Sequence, residues 1–280
     1  MGNALLTIFT PTYNRINELE RLYSSLISQT DFRFEWLIVD DGSTDDTENM
    51  VISWLDTSPF PIRYIKQPNS GKHVAHNLGA AEASGEYFIC VDSDDWLEPN
   101  AVETILHDVT ALDTWFPDGA DKIELADMRM KYGLVIETAI VFNTDVLRRH
   151  PFPVVQGERF IPEGSAYYDF VAPELFCVHN EPFYRCEYLE EGLTKNIWKN
   201  WLGSPVGTRM ALVKRHESAR RYSSVRALRE RISALVGIES LNMAVAEPVF
   251  SGIDSNRVFA LLVFPLSVLV ERRRFGRKVS

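Results

Sequence analysis

Residues 87–95 read Tyr87-Phe88-Ile89-Cys90-Val91-Asp92-Ser93-Asp94-Asp95, a short apolar run that turns directly into three carboxylates. A run this apolar predicts a buried strand over Tyr87–Val91, with the acidic cluster at its carboxyl end. Upstream, the same plan occurs three more times. Ala4–Phe9, Phe34–Val39 and Ile62–Lys66 read as strands, each followed by a polar turn and a helical period. The helices are expected over Asn14–Ser28, with Leu19, Leu22 and Ile27 near one face, over Asp45–Leu55, which Ser43 or Thr44 could cap, and over Lys72–Ser84, packing through Val74, Leu78 and Ala81. A fourth helix is expected over Asn100–Val109, after Pro99. Four β-α alternations predict an α/β fold, a doubly wound, mainly parallel sheet with helices on both faces.

In such a sheet ligands bind outside the carboxyl ends of the strands. The four turns there are Thr10-Pro11-Thr12-Tyr13-Asn14-Arg15, Asp40-Asp41-Gly42-Ser43, Gln67-Pro68-Asn69-Ser70-Gly71-Lys72 and Asp92-Ser93-Asp94-Asp95. Polar and acidic groups therefore gather on one edge. Carboxylates at 92, 94 and 95 suit a hard cation, since Mg²⁺ and Mn²⁺ take oxygen ligands and are often held by one or two carboxylates plus substrate phosphates. The bland alternative is a solvated turn capping the next helix. Asp40 or Asp41 can accept hydrogen bonds from a ribose or a base N–H while Gly42 allows close backbone approach; the alternative is an N-cap run. The spacing is not that of an EF-hand loop. Lys72 and His76, four apart at a helix N-terminus with His73 and Asn77 nearby, suit a diphosphate or the edge of a base, against the alternative of surface decoration.

Beyond residue 110 the pattern loosens. Pro151, Pro153, Gly157, Pro162, Gly164 and Pro173 punctuate a loop-rich segment, and a helical reading returns from Leu193 to Arg231. The expected division is 1–110 as a ligand-binding α/β half, 111–195 as a loop-rich wall beside it, and 196–280 as a helical basic extension.

Taken together, Thr10-Pro11-Thr12-Tyr13-Asn14-Arg15, Val39-Asp40-Asp41-Gly42-Ser43-Thr44-Asp45, Asn69-Ser70-Gly71-Lys72 with Asn77-Leu78-Gly79, and Val91-Asp92-Ser93-Asp94-Asp95 resemble the successive motifs of family-2 inverting glycosyltransferases with the GT-A fold. The resemblance is dense over the first hundred residues and thin over the next ninety. It implies that Pro11 and Thr12 line the nucleotide pocket, that Asp40 or Asp41 contacts base or ribose, and that Lys72 and Asn77 border the nucleotide. It further implies that Asp92, with Ser93 beside it, reaches ribose or metal, and that Asp94 is the principal ligand of a Mn²⁺ or Mg²⁺ cofactor. His76 stands where many relatives carry Arg, which bears on the diphosphate contacts. An acidic residue at the start of a helix commonly serves such enzymes as base; Glu163, after Ile161-Pro162, resembles that position, with Glu158 and Asp169 as rivals. The Glu187–Thr194 segment could close over the donor or join two elements. The Gln-x-x-Arg-Trp motif of processive relatives is not found, so addition of a single sugar is expected, from a UDP-sugar to a saccharide or lipid-linked saccharide in surface polysaccharide synthesis. The rivals are a nucleotidyltransferase and a catalytically silent nucleotide-sugar-binding module.

Composition is that of an ordinary globular protein. The 280 residues carry 29 Lys and Arg against 39 Asp and Glu, a net charge of −10. Residues 214–280 contain thirteen basic and six acidic residues, a balance of +7, which leaves −17 for residues 1–213. An acidic body with a basic tail argues against a nucleic-acid partner and for an anionic surface at the tail. Three cysteines in no metal-like spacing argue for free thiols, and the N-terminus lacks a secretory pattern, so a cytoplasmic location is expected. Val258–Val270 is apolar apart from Ser267, but thirteen residues rise only about 20 Å as helix, short of a roughly 30 Å hydrocarbon core. Peripheral attachment through 258–278 at the inner face of the membrane is therefore expected; the alternative is a helix buried on the protein itself or in an oligomer.

Overall fold

The computed structural model describes residues 4–108, 122–134, 139–177, 182–187, 195–253 and 257–276. In chain order the elements are β1 (Leu6–Thr12), α1 (Ile16–Ile27), β2 (Phe34–Asp40), α2 (Thr47–Leu55), β3 (Ile62–Lys66), α3 (Lys72–Glu82), β4 (Tyr87–Cys90), β5 (Trp96–Leu97) and α4 (Ala101–Asp108). There follow β6 (Lys122–Ile123), α5 (Leu125–Met130), β7 (Val141–Asn143), α6 (Thr144–Arg149), α7 (Gly164–Tyr167), β8 (Phe176–Cys177), β9 (Tyr184–Arg185), α8 (Ile197–Gly203), α9 (Pro205–Ala219), α10 (Val225–Ala244) and α11 (Arg257–Arg274). Two compact units result. One comprises Met1–Lys122, Glu137–Pro151 and Phe176–Leu189, the other Ile123–Ile136, Phe152–Leu175 and Glu190–Ser280.

The first unit holds a five-stranded sheet in the order β3-β2-β1-β4-β7, parallel but for β7. Thr12 stands opposite Asp40, Asp40 opposite Lys66, and Phe9 opposite Cys90, so the carboxyl ends of the parallel strands share one edge. Chain order reverses between β1 and β4, which is where a crevice opens in sheets of this kind. Strand alternation divides the apolar residues between two faces. Leu6, Ile8, Trp36, Ile38 and Ile89 form one core with Leu19, Leu22 and Leu26 of α1, Val51 of α2, and Val102 and Ile105 of α4. Phe9 and Phe88 stack on the opposite face at 5.3 Å, under α3. Helices thus cover both faces, as the alternation predicts.

Three local expectations are corrected. In α1 the inward position after Leu22 belongs to Leu26, while Ile27 is 40% exposed. Neither Ser43 nor Thr44 caps α2, whose N-cap is Asp46. The reason is that Ser43 Oγ accepts the Asn14 N–H at 2.9 Å and the Thr44 N–H donates to Asn14 Oδ1 at 2.8 Å, so both residues fasten the second turn to the first. In α3 the buried face is His73, Ala75, His76, Gly79 and Ala80, whereas Ala81 is exposed and Val74 and Leu78 are only half-buried. Close approach decides this, because a Cβ at Gly79 would lie 2.3 Å from the Phe9 ring. The helix presents its smallest residues to the sheet's largest.

The second unit includes a bundle of α9, α10 and α11 around Leu212, Leu235, Ile238 and Val263. Arg209 donates to Asn242 and Glu247, both at 2.7 Å, and Ser267 donates to the buried Glu239 at 2.6 Å. In α11, Ala260, Val263 and Ser267 face inward while Val258, Leu261, Leu262, Leu266 and Leu269 are exposed. The apolar run therefore has one protein-facing side and one open side. Among the described residues no helix is long and apolar enough to cross a membrane.

Candidate functional site

The chain leaves β4 at Cys90 and turns tightly, the Asp95 N–H donating to the Asp92 carbonyl at 3.0 Å. The turn brings a carboxylate oxygen from each of Asp92, Asp94 and Asp95 within 4.8 Å of the others. Such crowding in a partly dry place disfavours the charged forms. Burial, then the charge of Asp92, holds the Asp94 carboxyl above the usual carboxylate range, with Arg15 and Lys72 acting the other way. Burial pushes Asp95 up to about 6, against the hydrogen bond from Tyr184. Lys72 Nζ donates to Asp92 Oδ2 at 2.7 Å. Three hard oxygen donors whose mutual repulsion a cation would relieve are a fitting set for Mg²⁺ or Mn²⁺. Ser93 is buried inside the turn.

Asp40 and Asp41 lie at the same edge, and their oxygens are engaged within the protein. Asp40 is fully buried; it accepts the Ser43 N–H at 2.7 Å and the Tyr64 hydroxyl. Asp41 accepts Gln67 Nε2 and the Ser70 N–H through Oδ1, both at 2.7 Å, and the Gly71 N–H through Oδ2 at 2.8 Å. Asp41 thereby shapes the loop that launches α3 and presents Lys72. Gly42 has φ +85°, and a Cβ there would lie 2.8 Å from the Asn69 nitrogen, so close passage of the second and third turns requires glycine. Pro11 and Thr12 are buried at the end of β1, and the Thr12 hydroxyl has no hydrogen-bond partner.

His76 does not join Lys72 at the crevice. It is 4% exposed and meets the rings of Phe9 and Phe88 edge-on at 5.5 and 5.4 Å. Burial, aided by Lys72, pushes it down to about 3, so the imidazole is neutral and supplies no charge to a phosphate. His73 is likewise buried. Asn77, with His76, lines a cavity of about 420 Å³ that Leu147, Arg148 and His150 complete. Arg148 secures the far end of α3 by donating to the carbonyls of Ala80 at 3.0 Å and Ala83 at 2.6 Å.

In the second unit, Glu163 is exposed at the N-cap of α7 and its side chain does not make the capping hydrogen bond. Glu158 accepts the N–H groups of Val206 and Gly207 at 2.7 Å each, capping the start of α9. Asp169 pairs with Lys214.

The sequence reading missed the supports of the acidic turn. Tyr184 donates its hydroxyl to Asp95 Oδ2 at 2.5 Å, and the Glu187 N–H reaches Asp95 Oδ1 at 3.2 Å. Burial and the nearby Asp92 and Asp95 charges push the Tyr184 hydroxyl far up, which keeps it a donor. Nothing in local spacing announces residues some ninety positions away. Of the Glu187–Thr194 segment only Glu187 lies within the described residues.

Residues 7–115 match the family described as "Glycosyl transferase family 2". Glycosyltransferase GlyA of Streptococcus pneumoniae serotype 4 is 39% identical over 100 residues, which is 36% of this chain and 14% of that protein. The chondroitin synthase of Pasteurella multocida is 38% identical over 102 residues, 36% of this chain and 10% of the synthase. The matched stretch is thus a small part of each of these relatives. Among solved structures, S. aureus TarS 1-349 in complex with UDP-GlcNAc shares the fold with a TM-score of 0.58 at 17% identity, covering 97% of this chain and 92% of that one.

Proposed function

We propose that this chain, whose residues 7–115 match glycosyl transferase family 2, transfers a single sugar from a nucleotide diphosphate sugar to a saccharide or lipid-linked saccharide acceptor, with inversion and with Mn²⁺ or Mg²⁺ as cofactor. One observation carries the reading: three carboxylates, joined by Lys72, stand at the point of a doubly wound sheet where chain order reverses. The names of the relatives, a glycosyltransferase and a chondroitin synthase, support surface polysaccharide synthesis. A neighbour bound to UDP-GlcNAc supports a UDP-sugar as donor.

In this reading Pro11, Thr12, Asp40 and Asp41 frame the base and ribose, the last two chiefly by holding the turns in shape. The unpartnered Thr12 hydroxyl is a buried polar atom ready for a ligand hydrogen bond. Asp92 and Ser93 meet the ribose side, and Asp94 is the principal ligand. A bound divalent cation supplies positive charge that offsets the charge developing on the departing diphosphate. Lys72 adds a second cation on that side, and Asn77 borders the donor. Glu163 takes the proton from the acceptor hydroxyl as that oxygen attacks the anomeric carbon. Its rivals are Glu158, which caps the start of α9, and Asp169, which pairs with Lys214. Proton removal of this kind is worth about 10²–10⁴ in rate. The functional division is residues 1–110 for the donor, 111–195 for the acceptor and 196–280 for attachment, with 258–278 lying on the cytoplasmic face of a membrane. The open side of α11, ending in exposed Arg272 and Arg273, supports that contact.

The test is turnover with a panel of nucleotide sugars and Mn²⁺, reading the released product. Free nucleoside diphosphate is expected, and Asp94→Asn should abolish it while leaving the fold intact. Release of inorganic diphosphate would make the chain a nucleotidyltransferase. Donor binding without turnover in any condition would make it a silent module.

A further inference from the structure

Arg21 reaches the acidic turn from α1 and makes three contacts with one guanidinium. Nη2 donates to the main-chain carbonyl of Asp94 at 2.5 Å, Nη1 donates to Glu187 Oε2 at 2.5 Å, and the group lies 4.4 Å from the centroid of the Trp96 ring. A lone exposed ion pair would contribute little. Here the planar fork ties together α1, the turn and the segment after β9, and a lysine could not span them. The second side of the turn is held by Tyr184 on Asp95, while β9 pairs with β5 through Trp96 opposite Arg185 and Leu97 opposite Tyr184. Ser25 of α1 adds a hydrogen bond to the Leu97 N–H at 3.3 Å.

We propose that Arg21, seconded by Tyr184, is a positioning residue of this site: it fixes the Asp94 peptide so that the neighbouring carboxylates converge on the cation. The inference rests on the metal reading given above. Arg21 bonds the main-chain carbonyl of Asp94, so it acts on the peptide that carries the carboxylate. Removing partners that orient metal ligands commonly weakens metal binding 10- to 100-fold. Charge alone does not orient a peptide, so Arg21→Lys should behave as a loss.

The experiment is calorimetric titration of the full chain with Mn²⁺, without donor, for the wild type, Arg21→Lys, Tyr184→Phe and Asp94→Asn. Arg21→Lys should raise the Mn²⁺ Kd about tenfold, with circular dichroism unchanged. A Kd equal to that of the wild type overturns the proposal. Should Arg21→Lys fail to fold, Tyr184→Phe, which deletes one hydroxyl, carries the same expectation and the same refutation. Asp94→Asn separates the two levels. If it binds Mn²⁺ like the wild type the metal reading itself fails, whereas if it alone loses Mn²⁺ the site stands and the positioning role falls.

Discussion

The buried histidine of α3 predicts a specific acid sensitivity. In the unfolded chain His76 titrates at its ordinary value of 6.5, and in the folded protein burial between Phe9 and Phe88 pushes it down to about 3. The unfolded chain therefore binds a proton that the folded one refuses, so the stability contributed by a neutral His76 is complete above pH 6.5 and declines as pH falls toward 3. Well below 6.5 the slope is about 1.4 kcal/mol per pH unit, and between pH 7.5 and 5.5 the loss integrates to about 1.4 kcal/mol. His76→Leu keeps an apolar filling of the site and removes the titration. Urea unfolding of both proteins at pH 7.5 and 5.5 gives the comparison. Other groups, including Asp95 with its opposite displacement, are common to both and cancel in the difference. The wild type should lose about 1.4 kcal/mol more than the variant over that interval, and the His76 imidazole proton resonances should not shift between pH 8 and 5. Parallel pH dependences, or an imidazole that titrates near 6.5, would refute the neutral buried assignment.

The two acidic residues flanking Ile161-Pro162 should separate by assay. Glu163→Gln is expected to lower turnover by about 10²–10⁴ with donor affinity unchanged, measured by single-turnover kinetics and donor titration. Glu158→Gln should instead cost about 0.5–2 kcal/mol of stability as the cap of α9 weakens, read by urea unfolding. Leu262, 74% exposed on α11, should contribute to attachment: Leu262→Glu is expected to lower cosedimentation with vesicles containing anionic phospholipid by roughly tenfold or more, and equal binding would point to a protein partner for that face.

The parallel sheet was legible because each strand is an apolar run separated from the next by one helical period, and because the polar turns recur at one register. The buried face of α3 was not. Counting apolar residues favoured Val74, Leu78 and Ala81, but the sheet beneath is Phe9 and Phe88, and only Gly79, Ala75 and Ala80 let a helix come so close. His76 then falls inside by geometry despite its polarity. The same limit applies at the site. Asp92 and Asp94 declare themselves as sequence neighbours, whereas Arg21 bonds to a carbonyl 73 positions away and Tyr184 to a carboxylate 89 positions away. Side chains that meet only through the fold leave no periodic trace.

Electrostatics ties the legible half of the site to the rest. Asp40 and Asp41 are held by neutral N–H and O–H donors, and the turn adds Asp92, Asp94 and Asp95, with Lys72, Arg15 and Arg21 as the cations beside them. In the proposed function a nucleoside diphosphate would bring further negative charge to an edge already carrying more acids than bases. Lys72 cannot redress this alone, because it is committed to Asp92 at 2.7 Å. His76, where the family resemblance implies Arg, is neutral and buried. In the proposed reading the crevice has one fewer fixed cation at α3 than the resemblance implies, and a divalent ion at the acidic turn would let acidic residues and an acidic ligand share one edge.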